Sequence, residues 1–106
     1  MLKAGPPVTI TATDTAQPLS TTVGLVKGVR IYAHWSGTNR IYIGDSTLKP
    51  STNTGVIGWA PPPPTTPGSA PYIDAYETDS SNSINCKQLF VAGTQNDVIL
   101  WSYIEQ

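Results

Sequence analysis

Lys27-Gly28-Val29-Arg30-Ile31-Tyr32-Ala33-His34-Trp35-Ser36-Gly37-Thr38-Asn39-Arg40-Ile41-Tyr42-Ile43-Gly44-Asp45-Ser46 is the stretch on which the fold turns. In its first half Val29, Ile31, Ala33 and Trp35 alternate with Arg30, Tyr32 and His34. A period of two belongs to a pleated strand, whose successive side chains point to opposite faces. Ser36-Gly37-Thr38-Asn39 has the composition of a tight turn, and alternation resumes with Ile41 and Ile43. The spacing predicts a β-hairpin with the aliphatic residues on the core face and Tyr32 and Tyr42 paired across strands on the other.

The same period spreads outward. Val8-Thr9-Ile10-Thr11-Ala12-Thr13 alternates, Asp14-Thr15 turns the chain, and residues 17–22 and 23–26 make two weaker extended pieces. Downstream, a Ser/Thr/Asn loop leads to the short apolar segment 55–60, and Tyr72-Ile73-Asp74-Ala75-Tyr76-Glu77-Thr78 alternates again. The chain closes on a second predicted hairpin: residues 88–92, a turn over 93–97, and Val98-Ile99-Leu100-Trp101-Ser102-Tyr103-Ile104. Fourteen Thr, ten Pro and nine Gly favour strands joined by turns, and no apolar series keeps helical spacing without a Gly or Pro breaking it. The expected fold is all-β: one antiparallel β-sandwich of about seven or eight strands.

At 106 residues the chain has the size of a single domain. Residues 1–7 read as an extended N-terminal arm, set off by Gly5-Pro6-Pro7, and residues 8–106 as the sandwich. Residues 61–71, Pro-Pro-Pro-Pro-Thr-Thr-Pro-Gly-Ser-Ala-Pro, cannot donate a regular ladder and read as a stiff surface loop.

Composition narrows the function classes. With six Lys and Arg spread along the chain and a net charge of −1, there is no basic field to attract nucleic acid. Cys86 is the single cysteine, which rules out an intrachain disulfide and a Cys-rich zinc site. No apolar run has membrane-spanning length, and the N-terminus lacks the apolar core of a signal peptide. The expectation is a protein made in the cytoplasm, without cofactor, nucleic-acid or membrane partner.

Gly44-Asp45-Ser46-Thr47-Leu48 raises a nucleophile question, because Gly-Asp-Ser-Leu hydrolases begin so. A serine nucleophile needs a base held by a third group, on an elbow between strand and helix. Here Pro50 and a Thr/Ser/Asn string follow, and the single histidine, His34, lies upstream. Gly-Asp-Ser is better read as a strand-ending turn closed by hydrogen bonds to the Asp side chain. The closest carboxylate cluster, Asp74, Glu77 and Asp79, is split by alternation, which leaves calcium in a loop as the weaker reading.

The aromatic residues carry more information. Three Trp, five Tyr and one Phe exceed what one small core holds, so some belong to an interface, to a glycan-binding face or to exposed sheet edges.

Taken in order, Lys27-Gly28-Val29-Arg30-Ile31-Tyr32-Ala33, then Asn39-Arg40-Ile41-Tyr42-Ile43-Gly44-Asp45-Ser46, then Leu89-Phe90-Val91-Ala92-Gly93-Thr94-Gln95-Asn96-Asp97-Val98-Ile99-Leu100-Trp101 resembles a family of small tailed-phage virion proteins. The resemblance spans about residues 8–104 and departs at residues 61–71, where the family has a short glycine-centred loop. It implies a jelly-roll sandwich on the capsid exterior, a cement or decoration protein. Its partners would be the major capsid protein and further copies of itself. On that reading the contacts are Leu2, Pro6 and Pro7 of the arm, Pro61, Pro62, Pro63 and Pro64, and Trp59 and Tyr72 flanking the loop. A neck, tail or fibre position and a carbohydrate-binding module are the alternatives.

Overall fold

The computed structural model describes residues 2–33, 40–60, 72–76 and 84–105, and of residues 33, 59, 60 and 72–76 it describes the backbone alone. Among them are eleven strands: β1 (Leu2–Ala4), β2 (Val8–Thr9), β3 (Gln17–Pro18), β4 (Leu25–Val26), β5 (Gly28–Ala33), β6 (Ile41–Lys49), β7 (Thr54–Ala60), β8 (Tyr72–Tyr76), β9 (Ile84–Asn85), β10 (Phe90–Ala92) and β11 (Val98–Ile104). All pairings are antiparallel. The first sheet runs β1-β11-β5-β8, with β2 also on β11; the second runs β3-β10-β6-β7; β4 and β9 pair separately. The all-β sandwich is as the sequence predicts.

Alternation sets the core. Val29, Ile31, Ile99 and Trp101 point inward from the first sheet and Ile41, Ile43 and Val91 from the second, each no more than 2% exposed. Ile10, Leu19, Val26, Cys86 and Leu89 fill the remaining space. Burying each large aliphatic side chain contributes about 1.5–3 kcal/mol, and this layer holds the sheets together.

Both predicted hairpins open into crossings between sheets. β5 pairs with β11 and β8, whereas β6 pairs with β10 and β7, so Tyr32 and Tyr42 lie in different sheets and are not cross-strand partners. β10 and β11 separate in the same way. The strand orders β11-β5-β8 and β10-β6-β7 match, so the chain crosses the sandwich from β5 to β6, β7 to β8 and β10 to β11. This is the layout of a jelly roll. The physical reason is the core itself: Ile31 and Ile41 bury each other's sheet face to face instead of side by side.

β6 and β7 do form a hairpin, closed by a 3₁₀ turn over Pro50–Thr52 and by Asn53 at φ 54°. Ile43 stands opposite Gly58 and Gly44 opposite Val56, so Ile57 is an extra residue on β7 and is 69% exposed. The next pair is Lys49 with Thr54, which makes Asp45–Leu48 a second bulge, on β6. Gly44 is required there, because a Cβ would run into the Gly55 carbonyl. Gly-Asp-Ser therefore does not end the strand. The side-chain bonds are nonetheless present, since the Asp45 carboxylate accepts the Thr47 N–H at 2.8 Å and the Thr47 hydroxyl.

The strand count rises because the arm contributes β1 and residues 84–85 contribute β9, while residues 8–13 and 17–22 each keep only a two-residue ladder. A side chain supplies what the ladder lacks. Gln17 Oε1 accepts the Thr11 N–H at 3.1 Å and its Nε2 donates to the Thr9 carbonyl at 3.0 Å, tying the end of β2 to β3 in the other sheet. Ser20 Oγ accepts the N–H groups of Thr22 and Val23 and turns the chain toward β4.

Candidate interaction surface

The N-terminal arm is extended, as expected, but it is not free. Leu2, Lys3 and Ala4 stand opposite Ile104, Tyr103 and Ser102, and the Gly5 N–H donates to the Trp101 carbonyl at 2.9 Å. Val8 and Thr9 then pair with Ile99 and Val98. Between the two stretches Gly5, Pro6 and Pro7 face only Leu100 and Trp101, so the arm bulges at its prolines. Proline donates no hydrogen bond, but its carbonyl still accepts. The Trp101 indole Nε1–H reaches across to the Pro6 carbonyl at 2.7 Å, and a Cβ on Gly5 would overlap the same ring. The Tyr103 ring packs on the Trp101 ring at a centroid distance of 5.4 Å. Lys3 and Glu105 form an exposed ion pair that raises the lysine's pKa and lowers the carboxyl's, through the hydrogen bond between them.

The residues between the core positions form the outer face of this sheet. Register aligns Leu2, Ile104 and Gly28 in one row, Ala4, Ser102 and Arg30 in the next, and Leu100 with Tyr32 in a third. The backbone of β8 adds positions 76, 74 and 72 to the same rows. Leu2 is 70% exposed, and Tyr32, Val98, Leu100 and Ile104 are half-buried. A hollow of about 410 Å³ opens over Gly28, between Leu2, Ile104, Ser102 and Arg30. Ser102 is the one residue of β11 that is not aliphatic or aromatic. Strands that are apolar on both faces are the kind that proteins cover on both faces.

The residues singled out in the sequence fall at separate places. Leu2, Pro6 and Pro7 are exposed along the β1–β2 edge. Tyr72 opens β8 at the opposite edge, opposite Tyr32, three strand spacings away or about 14 Å. Trp59 lies in β7 opposite Tyr42, and β7 and β8 run close to each other although they belong to different sheets. Pro61, Pro62, Pro63 and Pro64 lie outside the described residues. Tyr32 stands on the outer face as its alternation predicts, whereas the sequence does not mark Val98, Leu100 and Ile104 as contacts. Their signal is the apolar run of β11, interrupted only by Ser102.

The other chemical candidates are dispersed. Ser46 is exposed on the β6 bulge, and Asp45 beside it is occupied by Thr47, whose hydrogen bonds lower the carboxyl's pKa. His34 lies outside the described residues. Cys86 is buried, and burial pushes its thiol up to about 11, which suppresses the reactive thiolate. Among the described residues no three His, Cys, Asp or Glu side chains converge on a metal position, and no helix is long and apolar enough to cross a membrane.

Comparison with known proteins gave no match: no family model, no curated protein and no solved structure is similar to this chain.

Proposed function

We propose that this chain is a non-enzymatic structural protein of a tailed-phage virion, a capsid cement or decoration protein. It would bind the outside of the shell built by the major capsid protein and touch neighbouring copies of itself there. The observation that carries this reading is the outer face of the first sheet, where Leu2, Ile104, Leu100, Val98 and Tyr32 offer an apolar surface around a shallow hollow. Such a face fits a broad, static contact with another protein better than capture of a small molecule. The sequence resemblance supplies the shell as the partner. A cement protein acts by mass action, since binding only the assembled lattice stabilises that lattice, and many copies of a modest contact add avidity.

The deciding experiment is quantitative mass spectrometry of purified particles from the source of the chain. A near-stoichiometric ratio to the major shell subunit is expected. A handful of copies would move the protein to the neck, tail or fibre, and absence from particles would overturn the virion reading. The face is tested separately by Leu100→Lys together with Leu2→Lys, which should abolish attachment to the shell while leaving the thermal melt close to that of the parent.

A further inference from the structure

A second concavity lies away from the apolar face, where the Thr13–Asp14 turn, Arg40 just before β6, Tyr42 within it, Pro50 and the Gly93–Thr94 corner meet. Its volume is about 340 Å³, at the small end for ligand pockets and of a size for one ring rather than an extended chain. The walls are braced from three sides. Asp14 N–H donates to the Gly93 carbonyl at 3.2 Å, and Gln95 N–H donates to Thr13 Oγ1 at 2.9 Å. The Asp14 carboxylate accepts the Ser51 N–H at 2.8 Å and the Ser51 hydroxyl, with Lys49 Nζ at 3.4 Å. A cavity fixed by such bonds needs little ordering when it is filled.

The lining divides by chemistry. Tyr42, Pro50 and Gly93 are half-buried and give an aromatic and aliphatic wall, while Thr13 and Arg40 stand exposed. Both oxygens of Asp14 are already taken, by Ser51 and Lys49. The Arg40 side chain, by contrast, has no hydrogen bond or ion pair among the described residues. The charged group with capacity to spare is thus a guanidinium, whose planar fork matches a carboxylate.

We propose that this pocket binds a carboxylate-bearing pyranose, with Arg40 holding the carboxylate and the Tyr42 ring lying against the apolar face of the sugar. A pyranose is flat and aliphatic on its faces and polar at its edge, as this lining requires. The proposal does not rest on the virion reading and stands or falls without it.

The test is a titration of the full ¹⁵N-labelled chain with glucuronate at millimolar concentrations, followed in amide spectra, with glucose and inorganic phosphate as comparisons. Saturable shifts are expected at Thr13, Gly93 and Thr94, with glucose bound at least about tenfold more weakly, the usual loss when a charged hydrogen bond is removed, and phosphate also more weakly, because it keeps the charge but has no ring to lie on Tyr42. Arg40→Gln should weaken glucuronate by a similar factor, and its own spectrum reports that the exposed substitution leaves the fold intact. No saturable shift at those amides would overturn the proposal. So would equal binding of glucose or phosphate, or unchanged affinity in a folded R40Q protein.

Discussion

The Trp101 indole and the Pro6 carbonyl, 95 residues apart in the chain, are joined by a hydrogen bond of 2.7 Å. That bond, with the Gly5 N–H on the Trp101 carbonyl, seats the arm on the last strand of the sandwich. The arm is therefore part of the sheet that presents the apolar face, and Leu2 is held on that face by its register with Ile104.

Gly5→Ala follows directly, because a Cβ there overlaps the indole ring. Forcing an atom into a packed site costs about 1–3 kcal/mol. The denaturation midpoint should fall, and the Trp101 indole N–H should exchange with solvent faster than in the parent. Deleting residues 2–7 should lower the midpoint further, since it also strips the ladder from β11. A truncated chain that melts like the parent would show that the arm contributes nothing to the sheet.

Gln17→Ala removes two hydrogen bonds to the backbone that tie the segment after β2 to β3, together with a longer one from the Thr11 hydroxyl at 3.4 Å. At about 0.5–1.5 kcal/mol for each backbone bond, the loss should be about 1–3 kcal/mol by urea denaturation. Gln17→Glu should recover little of it, because a carboxylate accepts from the Thr11 N–H but cannot donate to the Thr9 carbonyl.

Asp14 makes the stability of the Thr13–Asp14 corner depend on pH. Its carboxyl lies below the ordinary value of 3.8, chiefly because the Ser51 hydroxyl and N–H donate to it, with Lys49 adding to the effect. A lowered native pKa means stabilisation that is fully present above 3.8 and is lost as pH falls through the native value. Melting temperature should thus drop on acidification across that window. Asp14→Asn, which suits the positive φ of 59°, should flatten the drop while lowering stability at neutral pH.

Cys86 should be inert in the native protein. Its thiol is buried and pushed up to about 11, so an aromatic disulfide reagent at mildly alkaline pH should react only at the rate of unfolding. Fast labelling of the folded chain would mean that the β4–β9 side of the core opens readily.

Alternation made the inward residues legible: Val29, Ile31, Ile41 and Ile43 are buried as their spacing predicts. What it could not show is which sheet each strand joins. The pattern around Ile31 and Ile41 is the same whether β5 and β6 pair side by side or stand in opposite sheets, and they stand in opposite sheets. The arm was legible as extended but not as paired, because Gly5-Pro6-Pro7 signals lost donors, whereas the structure uses an acceptor and a ring that lies far along the chain. Of the candidate contacts, Leu2 falls on the apolar face and Tyr72 at its opposite edge, while Leu100 and Ile104 went unnoticed inside a run that looked like ordinary core.

The pairing of Leu2 with Ile104 also bears on biosynthesis. β1 leaves the ribosome ahead of every other strand described, and β11 leaves it after them. The nascent chain must carry an unpartnered strand until β11 has been translated, and only then can the first sheet gain its outer strand. Two prolines one residue beyond β1 suit that wait, since they cut short the row of donors on which a neighbouring nascent chain could build.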